Sequence, residues 1–279
     1  MKKIILITGA GGMFGQDACE LFTRWGYEVI AAKKSDLDVT DFFAVKKFFA
    51  EKKFDFVLHA AAYTKVDEAE SSRDLAFLIN AEAARNVAAA AAEKNLPILY
   101  ISTDYVFDGE KGAPYFVNDA TNPLNIYGAS KLAGEEGVKK INPQHYIVRT
   151  SWLYGKHGKN FVKSMLNLAQ KQNIIKVVDD QFGCPTWTRE LAAGVKKLIE
   201  EKKPFGTYHI CGSGVTTWCE FAKEIFKICK MKIEVMSVKS EESPRPARRP
   251  KFSAMANNEI CRDWREALRD YLCSTQIRH

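Results

Sequence analysis

The chain opens on Lys2-Lys-Ile-Ile-Leu-Ile7, a short apolar, β-branched run that stops at Gly9-Ala-Gly-Gly12-Met-Phe-Gly15 and gives way to a helical pattern from Gln16 to Trp25. An unbroken apolar run of this length predicts a strand buried on both faces, as in a parallel sheet. The same alternation recurs. Glu28 to Ala32 reads as a strand and Asp41 to Lys53 as a helix; Phe54 to Ala60 is a strand, followed by helical patterns from about Val66 to Lys94. Ile98 to Ser102 is a strand, the segment carrying Tyr127 and Lys131 a helix, and Tyr146 to Ser151 a strand. This βαβ rhythm predicts an α/β fold built on a doubly wound parallel sheet.

Beyond that point the rhythm changes. Helices are expected at Asn160 to Gln172 and Thr188 to Lys203, with short strands at Ile174 to Val178 and Tyr208 to Ile210. Thr217-Trp-Cys-Glu220 has capping-box spacing for a helix reaching about Ile228. Pro244 to Pro250 is a proline-stiffened basic segment, and Asp263 to Leu272 is an amphipathic last helix. The expected organisation is a sheet domain over residues 1-152 and a smaller, partly interleaved substrate-binding lobe over 153-279, with segments such as 188-203 packing back on the first. Such a lobe would close over the carboxyl ends of the strands, where open α/β sheets bind ligands.

Composition narrows the function. A net charge of +7, from 41 basic and 34 acidic residues, suits anionic ligands, but lysines recur on nearly every expected helix and no nucleic-acid-binding signature accompanies them. No nucleic-acid or membrane partner is therefore expected. Seven scattered cysteines without a C-x-x-C pair predict reduced thiols, and the five histidines show no ligand spacing, so no metal site is expected. The apolar stretch after Lys2-Lys3 is too short for a signal peptide, and the alanine run at 88–92 is bracketed by charges; a cytoplasmic protein is expected.

The chemistry is carried by two places. Gly9, Gly12 and Gly15 lie between a strand and a helix, the setting in which backbone amides can receive a pyrophosphate. Ser102-Thr103-Asp104 closes an apolar strand, and Tyr127 and Lys131 stand four residues apart in Asn125-Ile-Tyr-Gly-Ala-Ser-Lys131. Hydride delivery to a ketone leaves an alkoxide that needs a proton donor, and Tyr127 can supply it. On a helix Lys131 shares its face and can stabilise the phenolate, while the Thr103 hydroxyl can hold the carbonyl. At the end of the second strand, Lys33 and Lys34 occupy the place where NAD-selective sites carry a carboxylate, which predicts NADPH in preference to NADH.

Six ordered motifs, Ala60-Ala-Ala-Tyr-Thr-Lys-Val-Asp67, Ser102 to Gly109, Tyr127 to Glu135, Arg149 to Tyr154, Asp180 to Thr186 and Gly206 to Ile210, resemble those of dTDP-4-dehydrorhamnose reductases, within the extended short-chain dehydrogenase/reductase group. The resemblance runs from the first strand to the terminal helix. It implies an NAD(P)-binding Rossmann half and reduction of the 4-keto group of a dTDP-6-deoxy-4-hexulose, giving dTDP-L-rhamnose or a related deoxysugar nucleotide. It implies that Gly12, Met13 and Phe14 lie at the pyrophosphate, Asp38 and Val39 near the adenine, and Ala62, Tyr63 and Thr64 along the nicotinamide ribose. Asp104 and Trp152 are implied, with Thr103, to meet the substrate. Some relatives bind a cation such as Mg2+ at a homodimer interface; no ligand cluster in this sequence supports one.

Two further functions fit the same fold. One is a sugar-nucleotide epimerase or dehydratase of the same superfamily; in a dehydratase an Asp-Glu pair follows the Thr, whereas here Thr103-Asp104 is followed by Tyr105, which cannot act as that base. A regulatory subunit, like that of methionine adenosyltransferase, keeps the reductase fold and acts by binding a partner; an intact Thr103, Tyr127 and Lys131 favours catalysis.

Overall fold

The computed structural model describes residues 2–256 and 260–275. Its first half alternates β1 (Ile4–Thr8), α1 (Met13–Arg24), β2 (Glu28–Ala32), α2 (Phe42–Glu51), β3 (Phe56–His59), α3 (Val66–Ser71), α4 (Arg73–Phe77), α5 (Ala83–Glu93), β4 (Ile98–Thr103), α6 (Ile126–Ile141) and β5 (His145–Thr150). The second half contributes β6 (Leu153–Tyr154), α7 (Phe161–Ala169), β7 (Ile174–Val178), β8 (Phe182–Gly183), β9 (Thr186–Trp187), α8 (Thr188–Glu200), β10 (Gly206–His209), β11 (Thr216–Thr217), α9 (Trp218–Ile228), β12 (Glu234–Val238) and α10 (Trp264–Ser274).

Six parallel strands form the central sheet in the order β10-β5-β4-β3-β1-β2. Its strands are apolar on both faces because both are covered. On one side Phe14, Ala18 and Phe22 of α1 meet Leu191, Val195 and Leu198 of α8; on the other, Val45 and Phe49 of α2, the alanines of α5 and Val138 of α6 close the layer. The helix expected at 188–203 thus packs beside α1, and the strand expected at 208–210 is the edge of this same sheet, paired with β5 through Gly206–His209. The rest of the second half builds its own core, where α7, α9 and α10 gather Tyr154, Trp187, Phe221, Trp264 and Tyr271 beside the β7–β12 ribbon.

Three local departures from the sequence pattern bear on the site. Helix α1 starts at Met13, three residues earlier than its apolar period suggests, because Gly12 adopts the extended N-cap conformation and its N–H donates to the Gly9 carbonyl. The helical stretch from 66 to 94 is not continuous. Ser72 breaks it, and residues Leu78–Glu82 form a π turn that turns the Asn80 side chain inward, fully buried. The capping box of α9 is half made: Thr217 Oγ1 accepts from the Glu220 N–H, while the Glu220 carboxylate pairs with Lys223.

The π turn is locked from the sheet, since the buried Tyr100 hydroxyl donates to the Asn80 carbonyl at 2.7 Å. Helix α6 passes directly over this bond, and at its point of closest approach sits Gly134, where a Cβ would drive into both Asn80 O and Tyr100 Oη. Gly134→Ala is expected to overpack this contact and lower stability by about 1–3 kcal/mol in chemical denaturation. Unchanged stability would mean that α6 does not rest on the π turn as closely as described.

Candidate active site

The carboxyl ends of the central strands carry Thr8 beside His59, level with Tyr100 of β4, and, three residues further along β4, Thr103 beside Thr150 in a second row. Over this row lies the first turn of α6. Asn125 caps the helix, accepting from the Gly128 N–H at 2.8 Å while its amide donates to the Arg248 carbonyl at 2.7 Å. Tyr127 and Lys131 follow one turn apart on the face turned to β4.

Their surroundings differ from what spacing alone suggests. Burial pushes the Tyr127 phenol up to about 12; the neighbouring Thr103 hydroxyl opposes the rise, and the Asp104 charge adds to it. Burial also pulls the Lys131 ammonium down to about 7, with Glu135 resisting. The Lys131 Nζ lies 3.9 Å from the centre of the Tyr100 ring, and among the described residues it has no hydrogen-bond partner. The expected lowering of the phenol by Lys131 is therefore not seen in this geometry, because the ammonium faces the Tyr100 ring and is itself poorly solvated. Tyr127 is a neutral phenol at neutral pH, the state in which it can give a proton.

Thr103 donates to Asp104 Oδ1 at 3.1 Å, and Asp104 Oδ2 accepts from Ser253 at 2.5 Å. Burial raises the Asp104 carboxyl to about 7 against these hydrogen bonds. Tyr105 packs edge-on against Tyr127, with ring centres 5.9 Å apart. Trp152 lies two residues past Thr150, at the same end of the sheet, and stacks on Trp218.

A separate cleft of 280 Å³ opens where β1 and β3 diverge, the switch point of the sheet. Gly9, Gly12, Lys34, Asp38, Val39 and Ala62 line it. Gly9 has φ +67°, and a Cβ there would fall 2.5 Å from the Ala61 nitrogen, so only glycine lets β1 and the segment after β3 close on each other. The first turn of α1, at Met13, Phe14 and Gly15, has no side-chain cap and no acidic residue, which leaves its amides free for an anion. Lys33 lies over Gly11, and neither Lys33 nor Lys34 forms an ion pair among the described residues. Asp38 is engaged locally, accepting from the Thr40 N–H at 3.0 Å and the Thr40 hydroxyl at 2.7 Å.

The cleft and the catalytic row are joined by Asn80. Its Oδ1 accepts from the Tyr63 N–H at 2.8 Å and its amide donates to Tyr63 O at 3.1 Å, fixing the segment that holds Ala62, Tyr63 and Thr64; the same amide reaches Ser130 Oγ at 2.9 Å, between Tyr127 and Lys131. Sequence reasoning passed over Asn80, although an Asn inside an Ala- and Leu-rich helix is a visible signal. It also passed over the buried pair of Arg149 with Glu135, bonded at 2.9 and 2.8 Å and joined by Ser102 at 2.6 Å. Burial alone would raise the Glu135 carboxyl, but the Arg149 hydrogen bonds and charge hold it below its usual value. An arginine within a strand as apolar as β5 was the clue to that pair.

A cleft of 770 Å³ beside Asn125 is lined by Arg245, Arg248, Arg249 and Lys251 on the basic segment and by Asp108, Glu110 and Glu241. Arg249 grips Asp67, with Nη2 to Oδ2 at 2.9 Å, which ties this segment to the first turn of α3. Elsewhere, His157 meets Asp17 at 3.5 Å and Glu20 at 3.0 Å, a grouping that sequence spacing could not show; Glu20 is also paired with Lys156, and Asp17 with Thr188. None of the seven cysteines forms a disulfide among the described residues, and no helix of the described residues is long and apolar enough to cross a membrane.

Residues 1–277 match the family model of the RmlD substrate binding domain. The chain is 41% identical to the dTDP-4-dehydrorhamnose reductase of Streptomyces griseus over 276 residues, covering 94% of this chain and 91% of that protein. Among solved structures, a dTDP-4-dehydrorhamnose reductase from Clostridium acetobutylicum is 45% identical with a TM-score of 0.95, covering 98% of this chain and all of that one. The Bacillus anthracis enzyme of the same name, solved in complex with NADP, is 42% identical with a TM-score of 0.96, covering 99% and 100%.

The Lys131 environment makes a prediction that needs no substrate. A lysine depressed by burial binds its proton less tightly folded than unfolded, so its charge weakens the fold fully below about pH 7 and progressively less as pH rises toward the unfolded value. In the ligand-free protein, Lys131→Met is expected to gain stability over wild type at pH 6, with the advantage shrinking between pH 7 and 10 in parallel denaturation series. A pH-independent difference would contradict the depressed ammonium.

Proposed function

The chain belongs to the dTDP-4-dehydrorhamnose reductase family, and from that premise we propose that it reduces the 4-keto group of a dTDP-6-deoxy-4-hexulose to give dTDP-L-rhamnose or a closely related deoxysugar nucleotide. It is an oxidoreductase that uses a nicotinamide cofactor. The observation that carries the reading is the convergence of Thr103, Tyr127 and a buried, hydrogen-bond-free Lys131 ammonium at the end of β4.

The residues fit such a cofactor. The uncapped first turn of α1 suits a pyrophosphate, Val39 and Asp38 the adenine, and the Asn80-held segment Ala62 to Thr64 the nicotinamide ribose. Lys131 lacks a hydrogen-bond acceptor, which ribose hydroxyls can provide. When bound, the reduced nicotinamide supplies the hydride. The Thr103 hydroxyl holds the sugar carbonyl, with Asp104 beside it against the substrate, and Tyr127, neutral at working pH, donates its proton to the C4 oxygen. Lys131, one helical turn from Tyr127, would stabilise the phenolate left behind once the ribose hydroxyls hold it charged and turn it from the Tyr100 ring. Residues 1-152, with the returning α8 and β10, form the cofactor half, and most of 153-279 the sugar-nucleotide side. Tyr105 packs against Tyr127 where a dehydratase needs a carboxylate, which weighs against loss of water as the reaction. Seven cysteines without a disulfide among the described residues suit a reducing, cytoplasmic setting.

The direct test offers the purified protein dTDP-, UDP- and GDP-linked 4-keto sugars with NADPH or NADH and follows oxidation of the cofactor. Turnover of the dTDP-4-keto-6-deoxy sugar is expected; none with any member of the panel would refute the proposal. Tyr127→Phe should lower kcat by about 10²-fold or more with cofactor affinity nearly unchanged. A variant within a few-fold of wild type would remove Tyr127 from the acid role.

Cofactor choice follows from the unpaired Lys33 and Lys34. Their charges favour the 2′-phosphate, so a preference for NADPH of about tenfold or more is expected, weakening as salt is added. Alanine at both positions should raise KM for NADPH and spare NADH. An unchanged ratio in that double variant would assign selectivity elsewhere.

A further inference from the structure

Arg249 borders the cleft beside Asn125, where the cations of a basic segment would ordinarily be read as phosphate ligands. It is bound differently from its neighbours. Arg245, Arg248 and Lys251 form no ion pair among the described residues, whereas the Arg249 guanidinium takes both oxygens of Asp67 in a fork, Nη1 to Oδ1 at 2.5 Å and Nη2 to Oδ2 at 2.9 Å. Nη1 also donates to the Ala247 carbonyl at 2.6 Å, and the Ala247 N–H donates to Asp67 Oδ1 at 3.2 Å, so the fork closes on its own segment. The Arg249 side chain is 16% exposed. With both terminal nitrogens engaged, little of the guanidinium is left for an anion in the cleft.

What the anchored guanidinium does hold is Tyr105. It hydrogen-bonds the Tyr105 hydroxyl, and the Tyr105 ring stands edge-on to Tyr127, an arrangement that aromatic pairs favour. The Tyr105 backbone meets the same site. Its N–H donates to Thr103 Oγ1 at 3.2 Å, and at Gly128, the residue after Tyr127, a Cβ would overlap the Tyr105 carbonyl. Tyr105 is thus packed at once against the Thr103 hydroxyl, the Tyr127 ring and the turn of α6 that carries Tyr127.

We propose that Arg249, anchored on Asp67, is a positioning residue for Tyr127, pinning the Tyr105 ring edge-on against the catalytic phenol rather than binding the diphosphate of the sugar nucleotide. This rests on the reading of Tyr127 as the acid. Positioning of this kind acts on kcat, since a misplacement of about 1 Å can cost about 10²-fold, whereas a lost phosphate contact acts on KM for the sugar nucleotide.

The test measures kcat and the KM values for NADPH and the dTDP-4-keto sugar in Arg249→Ala, Arg249→Lys, Tyr105→Phe and the double variant Arg249→Ala with Tyr105→Phe. Arg249→Ala and Tyr105→Phe should each lower kcat about tenfold with both KM values within about twofold of wild type. The double variant should be no worse than Arg249→Ala, because Tyr105→Phe removes the hydroxyl through which the guanidinium acts. Arg249→Lys should recover little, since a point charge cannot fork Asp67 and reach the phenol together, although it would serve as a phosphate ligand. A KM for the sugar raised about tenfold at unchanged kcat, rescue by lysine, or additive losses in the double variant would overturn the proposal. If wild type turns over none of the 4-keto sugars, the reductase reading fails separately, and chemical denaturation of the same variants decides the pinning: coupled losses of stability are expected, and additive losses overturn it. Should Arg249→Ala fail to fold, Asp67→Asn, which weakens the anchor and keeps the guanidinium, takes its place with the same expected fall in kcat.

Discussion

The buried ion pair between Glu135 of α6 and Arg149 of β5 seats the helix that carries Tyr127 and Lys131. Taking two charges out of water is unfavourable unless their hydrogen bonds are filled, and here they are: Arg149 meets both carboxylate oxygens and Ser102 of β4 adds a third donor. Losing one partner of such a pair costs about 3–5 kcal/mol, so the helix is fixed in register to two adjacent strands. From that register the rest follows. Gly134 rests on the π turn, Ser130 meets Asn80, and Lys131 comes to lie over Tyr100.

The same arrangement leaves one group unsatisfied. The buried Glu135 carboxylate of α6 is fully partnered, yet the Lys131 ammonium is buried against an aromatic ring and has no acceptor among the described residues. A buried polar group of this kind is expensive to leave unpaired, and its presence beside a cleft lined by glycines and uncapped helical amides identifies where a ligand bearing hydroxyls would be welcomed. In the proposed function, the stability given up at Lys131 is recovered when the cofactor's hydroxyls meet it.

Much of this was legible in the sequence, and what was not has a physical reason. The β-branched runs and the Gly9 to Gly15 turn announced the parallel sheet, because burial on both faces leaves no polar positions to confuse the period. Tyr127, Lys131 and Thr103 were visible as motif residues, and the structure brings them together. The π turn was hidden, since its residues have ordinary helical composition and the distortion is imposed by Tyr100 and Gly134 from distant segments. The return of β10 to the main sheet was likewise a matter of tertiary pairing that a four-residue strand cannot declare. The charge balance at Lys131 could not be read from i, i+4 spacing, which shows that two residues share a face and says nothing of how deeply the face is buried.

The central claim is that Lys131 gains its missing partner from the bound cofactor. Such a gain must raise the lysine from its depressed value near 7, so binding should take up a proton when the ligand-free protein is largely deprotonated there. Calorimetry of NADPH binding at pH 8, repeated in buffers of different ionisation enthalpy, counts that proton directly. The account predicts a net uptake approaching one proton per site in wild type and almost none in Lys131→Met; equal uptake in the two proteins, or none in either, would contradict it.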